Sequence, residues 1–245
     1  MPDFLTFTLA APLAAMGDIA VGERRGTWDR PGRSAVLGLV AACLGVDRSD
    51  EGTHLALESE FGLALRIERL GPLVADYHTA QVPPARRGRR FATRAEELAS
   101  GDLGTILSRR DYYADVFVFV ALWPRGFGDA EGARGLEKIA IALRTPFYTP
   151  YLGRKACPLM LPLNPQIVQA IDPVVALAAR AAWHEARDLP FGIRSTIPPL
   201  VALDADQAEY FGLQGVHRVE LRRDRLVSRR RWQFTLREEA VLEQS

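Results

Sequence analysis

Apolar and polar positions alternate from Phe4 to Ala10, with Leu5, Phe7 and Leu9 on one side and Thr6 and Thr8 on the other. A period of two predicts a half-buried β-strand. The period then changes. Val36, Leu39, Val40, Cys43 and Leu44 recur at i, i+3, i+4, i+7 and i+8, which predicts a short apolar α-helix. Ser34 suits its N-cap, and Gly45 the left-handed position just past its end. His54–Glu58 predicts a further helical turn. Phe61, Leu63, Leu65 and Ile67 alternate with Gly62, Ala64, Arg66 and Glu68, a second strand.

Residues 80–110 break the pattern, punctuated by Pro83, Pro84, Gly88, Gly101 and Gly104. An excursion of about thirty residues in a compact domain is functional or disordered. Tyr113–Trp123 is then apolar on both faces, Val116, Val118, Val120 and Leu122 against Phe117, Phe119 and Trp123, as a central strand requires. Asp129 suits the cap of a helix running to Arg144, with Ala133, Leu136, Ile139, Ala140 and Leu143 inward. Thr145-Pro146 stops it. With a further strand at Phe147–Leu152 the order is βαββαβ, a ferredoxin-like or RRM-like α+β pattern. Pro158, Pro162 and Pro165 mark a boundary near residue 160. The expected organisation is therefore a core over 1–160 and a smaller region over 161–245. The latter comprises a helix from Asp172-Pro173 to about Arg187 and short strands at Pro199–Leu203, Val216–Leu221 and Trp232–Leu236.

Composition narrows the class little: 245 residues, 48% hydrophobic and 25% charged, suit an ordinary globular chain. No run approaches the roughly 18 apolar residues of a membrane span, and the expected location is the cytoplasm. Charge distribution says more. The formal net charge is +1, yet residues 78–110 carry +4 and residues 218–237 carry +6. Such clustering predicts localised anion-binding surfaces.

The chemistry gathers in four places. Arg24, Arg25, Arg30 and Arg33 precede the first helix, whose N-terminal N–H groups favour phosphate; the P-loop spacing GxxxxGK[ST] is absent. Asp76-Tyr77-His78 offers an acid–base pair or a base contact. Arg109-Arg110-Asp111-Tyr112-Tyr113 interleaves guanidiniums with aromatic rings, the combination that single-stranded RNA binding uses. Tyr148-Thr149-Pro150-Tyr151-Leu152-Gly153-Arg154-Lys155 is a second aromatic–basic patch. His54, His78, His184 and His217 show no metal-ligand spacing, Cys43 and Cys157 are a distant pair, and no cofactor motif is present. No metal and no cofactor are expected.

Taken together, these residues resemble the CasD-type subunits of type I-E CRISPR Cascade complexes, within the RAMP superfamily. The matching stretches are Arg25-x-Thr27, Pro31-x-Arg33-Ser34, Leu37-Gly38-Leu39, Leu44-Gly45, Asp76-Tyr77-His78-Thr79, Arg110-x-Tyr112 with Asp115, and Tyr148 to Leu159. Gly32 and Ala35 depart from the family's usual Thr and Gly. The resemblance implies an RRM-like core with a protruding basic thumb, here 80–110. It also implies a non-catalytic role: capping the 5′ handle of the guide RNA, the thumb at the backbone subunit. The large PAM-recognising subunit would sit alongside, target DNA would be met only indirectly, and no membrane is involved. On this basis Arg25, Arg33 and Ser34 are expected to hold phosphates, Tyr77 and His78 to touch bases, and Arg109, Arg110, Tyr112, Arg154 and Lys155 to line the same groove. The competing expectation is a metal-independent repeat endoribonuclease using Tyr77, His78 and Lys155.

Overall fold

The computed structural model describes residues 1–17, 20, 22–85, 88, 90–99, 101–125, 130–186 and 198–243. Arg86, Arg87 and Arg89, the Asp129 cap, the Ala133 side chain and Arg187 lie outside the described residues. Among the described residues nine strands form one sheet: β1 (Asp3–Ala14), β2 (Arg24–Arg25), β3 (Phe61–Arg69), β4 (Leu73–Val82), β5 (Gly104–Pro124), β6 (Gln166–Gln169), β7 (Leu200–Asp204), β8 (Val216–Ser228) and β9 (Gln233–Glu243). The helices are α1 (Arg33–Cys43), α2 (Glu51–Glu60), α3 (Arg94–Leu98), α4 (Ala130–Arg144), α5 (Pro173–Glu185) and α6 (Ala205–Tyr210). The strand order is β6-β1-β5-β3-β7-β9-β8, with β2 and β4 also pairing with β5.

The second half of β5 is the centre of the sheet. Val118 pairs with Leu9 on one side and with Ile67 on the other. Its alternate residues feed two cores. Val116, Val118, Val120 and Leu122 pack with Leu5, Phe7 and Leu9 beneath α1, α2 and α4. Phe117, Phe119 and Trp123 pack with Phe4, Ala176, Leu177 and Ala208 beneath α5 and α6. A strand covered on both faces reads as continuously apolar, which is the pattern in the sequence.

The same double cover corrects the expectation for β1. Thr6 and Thr8 are buried, not solvent-facing, because α5 lies over them. Thr8 Oγ1 accepts from Arg180 Nη2 at 2.8 Å, and Thr6 Oγ1 donates to the Gln166 carbonyl at 3.3 Å. The two hydroxyls are satisfied, as buried polar groups must be.

Two further expectations change. The excursion begins and ends as regular structure: β4 and the first half of β5 form an exposed antiparallel ribbon, with Val82 opposite Gly104. Asp115, at φ 51°, marks the place where β5 passes from ribbon to core. Phe147–Leu152 is no strand. Its Phe147 and Tyr148 amides donate to the Cys43 and Ala42 carbonyls, satisfying the C-terminal end of α1, and β6 takes the sheet position instead. The last three strands continue the main sheet through the β3–β7 pairing.

Candidate nucleic-acid interface

Helix α1 begins two residues earlier than expected. Gly32 is its N-cap, Arg33 its first residue, and Ser34 lies inside the first turn. Gly45 does take the left-handed position past the C-terminus, at φ +75°. The α1 N-terminus is already occupied by an anion from within the chain, because the Arg33 amide donates to Asp224 Oδ2 at 2.7 Å. A Cβ on Gly32 would lie 2.8 Å from the same oxygen, so the glycine is what lets the carboxylate approach.

Arg33 itself corrects the sequence reading. Its side chain is 0% exposed. Nε donates to Glu58 at 2.6 Å, Nη1 to Asp204 at 3.1 Å, and Nη2 to the Glu58 and Phe61 carbonyls at 2.7 and 2.6 Å. A guanidinium so enclosed holds no phosphate. Arg30 is buried too, against Asp29, Glu220 and Glu239.

Arg222 and Arg237 complete the cluster from the C-terminal hairpin, Arg237 bridging Asp204, Asp224 and Glu239. Two of the eight arginines of 218–237 are therefore spent internally. Burial pushes the Asp224 carboxyl up, but its hydrogen bonds to Arg237 and the neighbouring guanidinium charges outweigh it and hold the group below its ordinary value. Glu58 goes the other way, because burial outweighs Arg33.

The other expected residues divide by location. Arg25 is exposed on β2, whose parallel pairing sets Arg24 beside Arg109 and Arg25 beside Arg110. Buried Asp111 holds Arg24 at 3.0 Å and Arg109 at 3.4 Å. Tyr112 is buried, another correction, since no base can stack on a ring already covered. The Arg154 guanidinium lies 4.6 Å above that ring and donates to the Asp111 and Arg25 carbonyls at 3.1 and 3.2 Å. Arg154 thereby fixes β2 against β5. Gly153 before it sits at φ +88°, where a Cβ would lie 1.6 Å from the Ala15 carbonyl oxygen; no other residue fits. Lys155 is exposed beyond it.

Along the ribbon, Tyr77 is 63% exposed and directly opposite Arg109. His78 faces the other side, its Nε2 in hydrogen-bond contact with the Asp76 carboxylate. Arg110, opposite Asp76, shares that second face.

One cleft gathers part of this set. It measures about 570 Å³ and runs over the outer face of α1. Arg25, Ser34 and Arg154 line it, with Gly17, Gly38 and Tyr151 between them. Arg33, Arg109, Arg110, Tyr77 and His78 are not part of its lining.

The sequence reading missed the far wall, formed by Arg48, Arg229 and Trp232. Arg48 and Arg229 lie 4.7 and 4.3 Å from the centroid of the Trp232 indole ring. The signal was present as Arg229-Arg230-Arg231-Trp232, but a basic lead-in to a strand does not announce where it points. Among the described residues, no group of three or more His, Cys, Asp or Glu side chains is arranged to hold a metal ion, and no helix is long and apolar enough to cross a membrane.

Comparison with known proteins agrees with the motifs. The family model described as CRISPR-associated protein (Cas_Cas5), of the Cas5d type, matches residues 4–236. The CRISPR system Cascade subunit CasD of Escherichia coli (strain K12) is 35% identical over 185 residues, covering 72% of this chain and 76% of that protein. A solved structure described as a CRISPR RNA-guided surveillance complex holds a chain 25% identical, with TM-score 0.63, over 98% of this chain and 89% of that one. A crystal structure of a Cas protein, 22% identical with TM-score 0.57 over 98% and 95% of the two chains, shares the fold. The chain belongs to the CRISPR-associated Cas5 family.

Proposed function

We propose that this Cas5-family chain is the non-catalytic subunit that binds guide RNA and caps its 5′ handle in a type I-E Cascade complex acting in the cytoplasm. The observation that carries the reading is the basic cleft over α1, where Arg25, Ser34 and Arg154 meet although they are far apart in sequence. Arg supplies phosphate-binding guanidiniums in a fixed fork, and a groove with aromatic walls suits an unpaired strand. The order β6-β1-β5-β3 supports a ferredoxin-like core that reaches past the expected boundary near residue 160 to take in β6 (Gln166–Gln169). The β4–β5 ribbon, with Tyr77 and Arg109 side by side, is the thumb that reaches the backbone subunit. The subunit also supports the neighbouring large PAM-recognising subunit, and target DNA is met only through the assembled complex.

The endoribonuclease alternative is not supported. Neighbouring residues of a strand point to opposite faces, so Tyr77 and His78 do not converge on one scissile phosphate. The test is co-expression with the neighbouring backbone subunit and addition of labelled repeat-derived RNA in chelator. Retention of the native handle over a scrambled one, with the RNA intact, is the expected result. Specific cleavage abolished by His78→Ala would make the protein an enzyme instead.

A further inference from the structure

The far wall of the cleft has a property its near wall lacks. Two guanidiniums, Arg48 from the α1–α2 loop and Arg229 from the β8–β9 turn, crowd one indole. Trp232 holds them from a left-handed backbone conformation, φ 56°, which is uncommon for a bulky residue. Like charges brought together repel unless an anion joins them. Burial and the Arg48 charge push the Arg229 guanidinium below its ordinary value, and Arg229 Nε is buried without a hydrogen-bond acceptor. The floor between the two walls is low. Ser34, Ala35, Gly38 and Ala42 face the cleft from α1, and a Cβ on Gly38 would meet nothing within 4 Å. A strand of nucleotides leaving Arg25 and Arg154 has an open channel across the helix to the pair.

Resting on the RNA-binding reading above, we propose that Arg48 and Arg229, held by Trp232, form a second phosphate clamp for a phosphodiester of the same single RNA strand, which crosses the α1 floor at Gly38. An anion between the guanidiniums relieves their repulsion, and the indole keeps both in place when the site is empty.

The test uses the full-length chain and a labelled repeat-derived RNA, with anisotropy followed from about 50 to about 200 mM salt. Arg48→Ala/Arg229→Ala is expected to bind about ten- to a hundred-fold more weakly. The slope of log affinity against log salt should fall by about 0.7, the share of one single-strand phosphate. Gly38→Leu keeps every charge, places a good helix former in a helix and fills the channel; it is expected to weaken binding while thermal melting shows an intact fold. If the unaltered chain binds and both variants match it, the clamp is wrong and RNA binding through Arg25 and Arg154 stands. Loss in the double variant alone would put the strand off the α1 floor and overturn the path. Failure of the unaltered chain to bind any RNA would overturn the functional reading, and the clamp with it.

Discussion

The Asp224 carboxylate accepts a 2.7 Å hydrogen bond from the Arg33 backbone amide, so a side chain of β8 fills the anion position at the N-terminus of α1. This one contact joins the loop before the first helix to the C-terminal hairpin. Around it, Arg30, Arg33, Arg222 and Arg237 interleave with Glu58, Asp204, Asp224 and Glu239. Buried ion pairs of this kind repay their desolvation only when fully partnered. The network is thus a fastener between the loop before α1 and the C-terminal hairpin, and the cleft proposed to bind RNA lies on the solvent side of the helix it anchors.

Arg33→Ala is expected to lower stability by about 3–5 kcal/mol, because Glu58 and Asp204 are left buried with fewer partners. Urea denaturation measures it. An unchanged midpoint combined with weaker RNA binding would instead show that the guanidinium reaches nucleic acid.

Arg25→Ala should do the opposite. Its side chain is exposed, so stability stays within about 0.5 kcal/mol. RNA affinity falls, and its salt slope falls by about 0.7. Wild-type salt dependence in this variant would remove Arg25 from the interface.

Gly153→Ala is expected to cost roughly 2–4 kcal/mol, through strain at positive φ and collision with the Ala15 carbonyl. The loss should appear as a lower melting temperature together with weaker RNA binding, since Arg154 is set by the same turn. A melting temperature equal to wild type would show that the turn is not fixed as described.

Stability should also fall in acid. Asp224 has a folded value below its ordinary 3.8, so it binds its proton more readily when unfolded. Its contribution is complete above the unfolded value and is lost as pH falls through the folded one. Glu58, held above its ordinary 4.5, has the reverse sign: its contribution is complete below that value and is lost as pH rises through the folded one. Urea midpoints of wild type and Asp224→Asn, followed from about pH 6 downward, should converge in acid. Parallel curves would contradict the assignment.

Much of the fold is legible from period alone. The two-faced apolar run of β5 announces a central strand, and the spacing of Val36, Leu39, Val40 and Cys43 places α1 with its buried face correct. What misled was local. Thr6 and Thr8 read as solvent-facing because nothing in their own stretch reveals α5, which comes more than 160 residues later. Phe147–Leu152 reads as a strand because β-propensity does not register docking onto helix carbonyls.

Arg33 read as a phosphate ligand because composition cannot tell a guanidinium aimed at solvent from one aimed at carboxylates donated by β7 and α2. Tyr112 read as a stacking platform, although its ring is taken by Arg154. The wall of Arg48, Arg229 and Trp232 was missed for the same reason in reverse: Arg229 and Trp232 stand in one basic run, but Arg48 joins them only when the β8–β9 turn folds back over α1.

The most direct test of the central claim is photo-crosslinking of the assembled complex, carrying thio-substituted guide RNA, with the crosslinked peptides identified by mass spectrometry. The account predicts crosslinks in three segments around the cleft: Arg25 to Arg48, Tyr148 to Lys155, and Arg229 to Phe234. Crosslinks confined to the α5 face, with none on these segments, would contradict it.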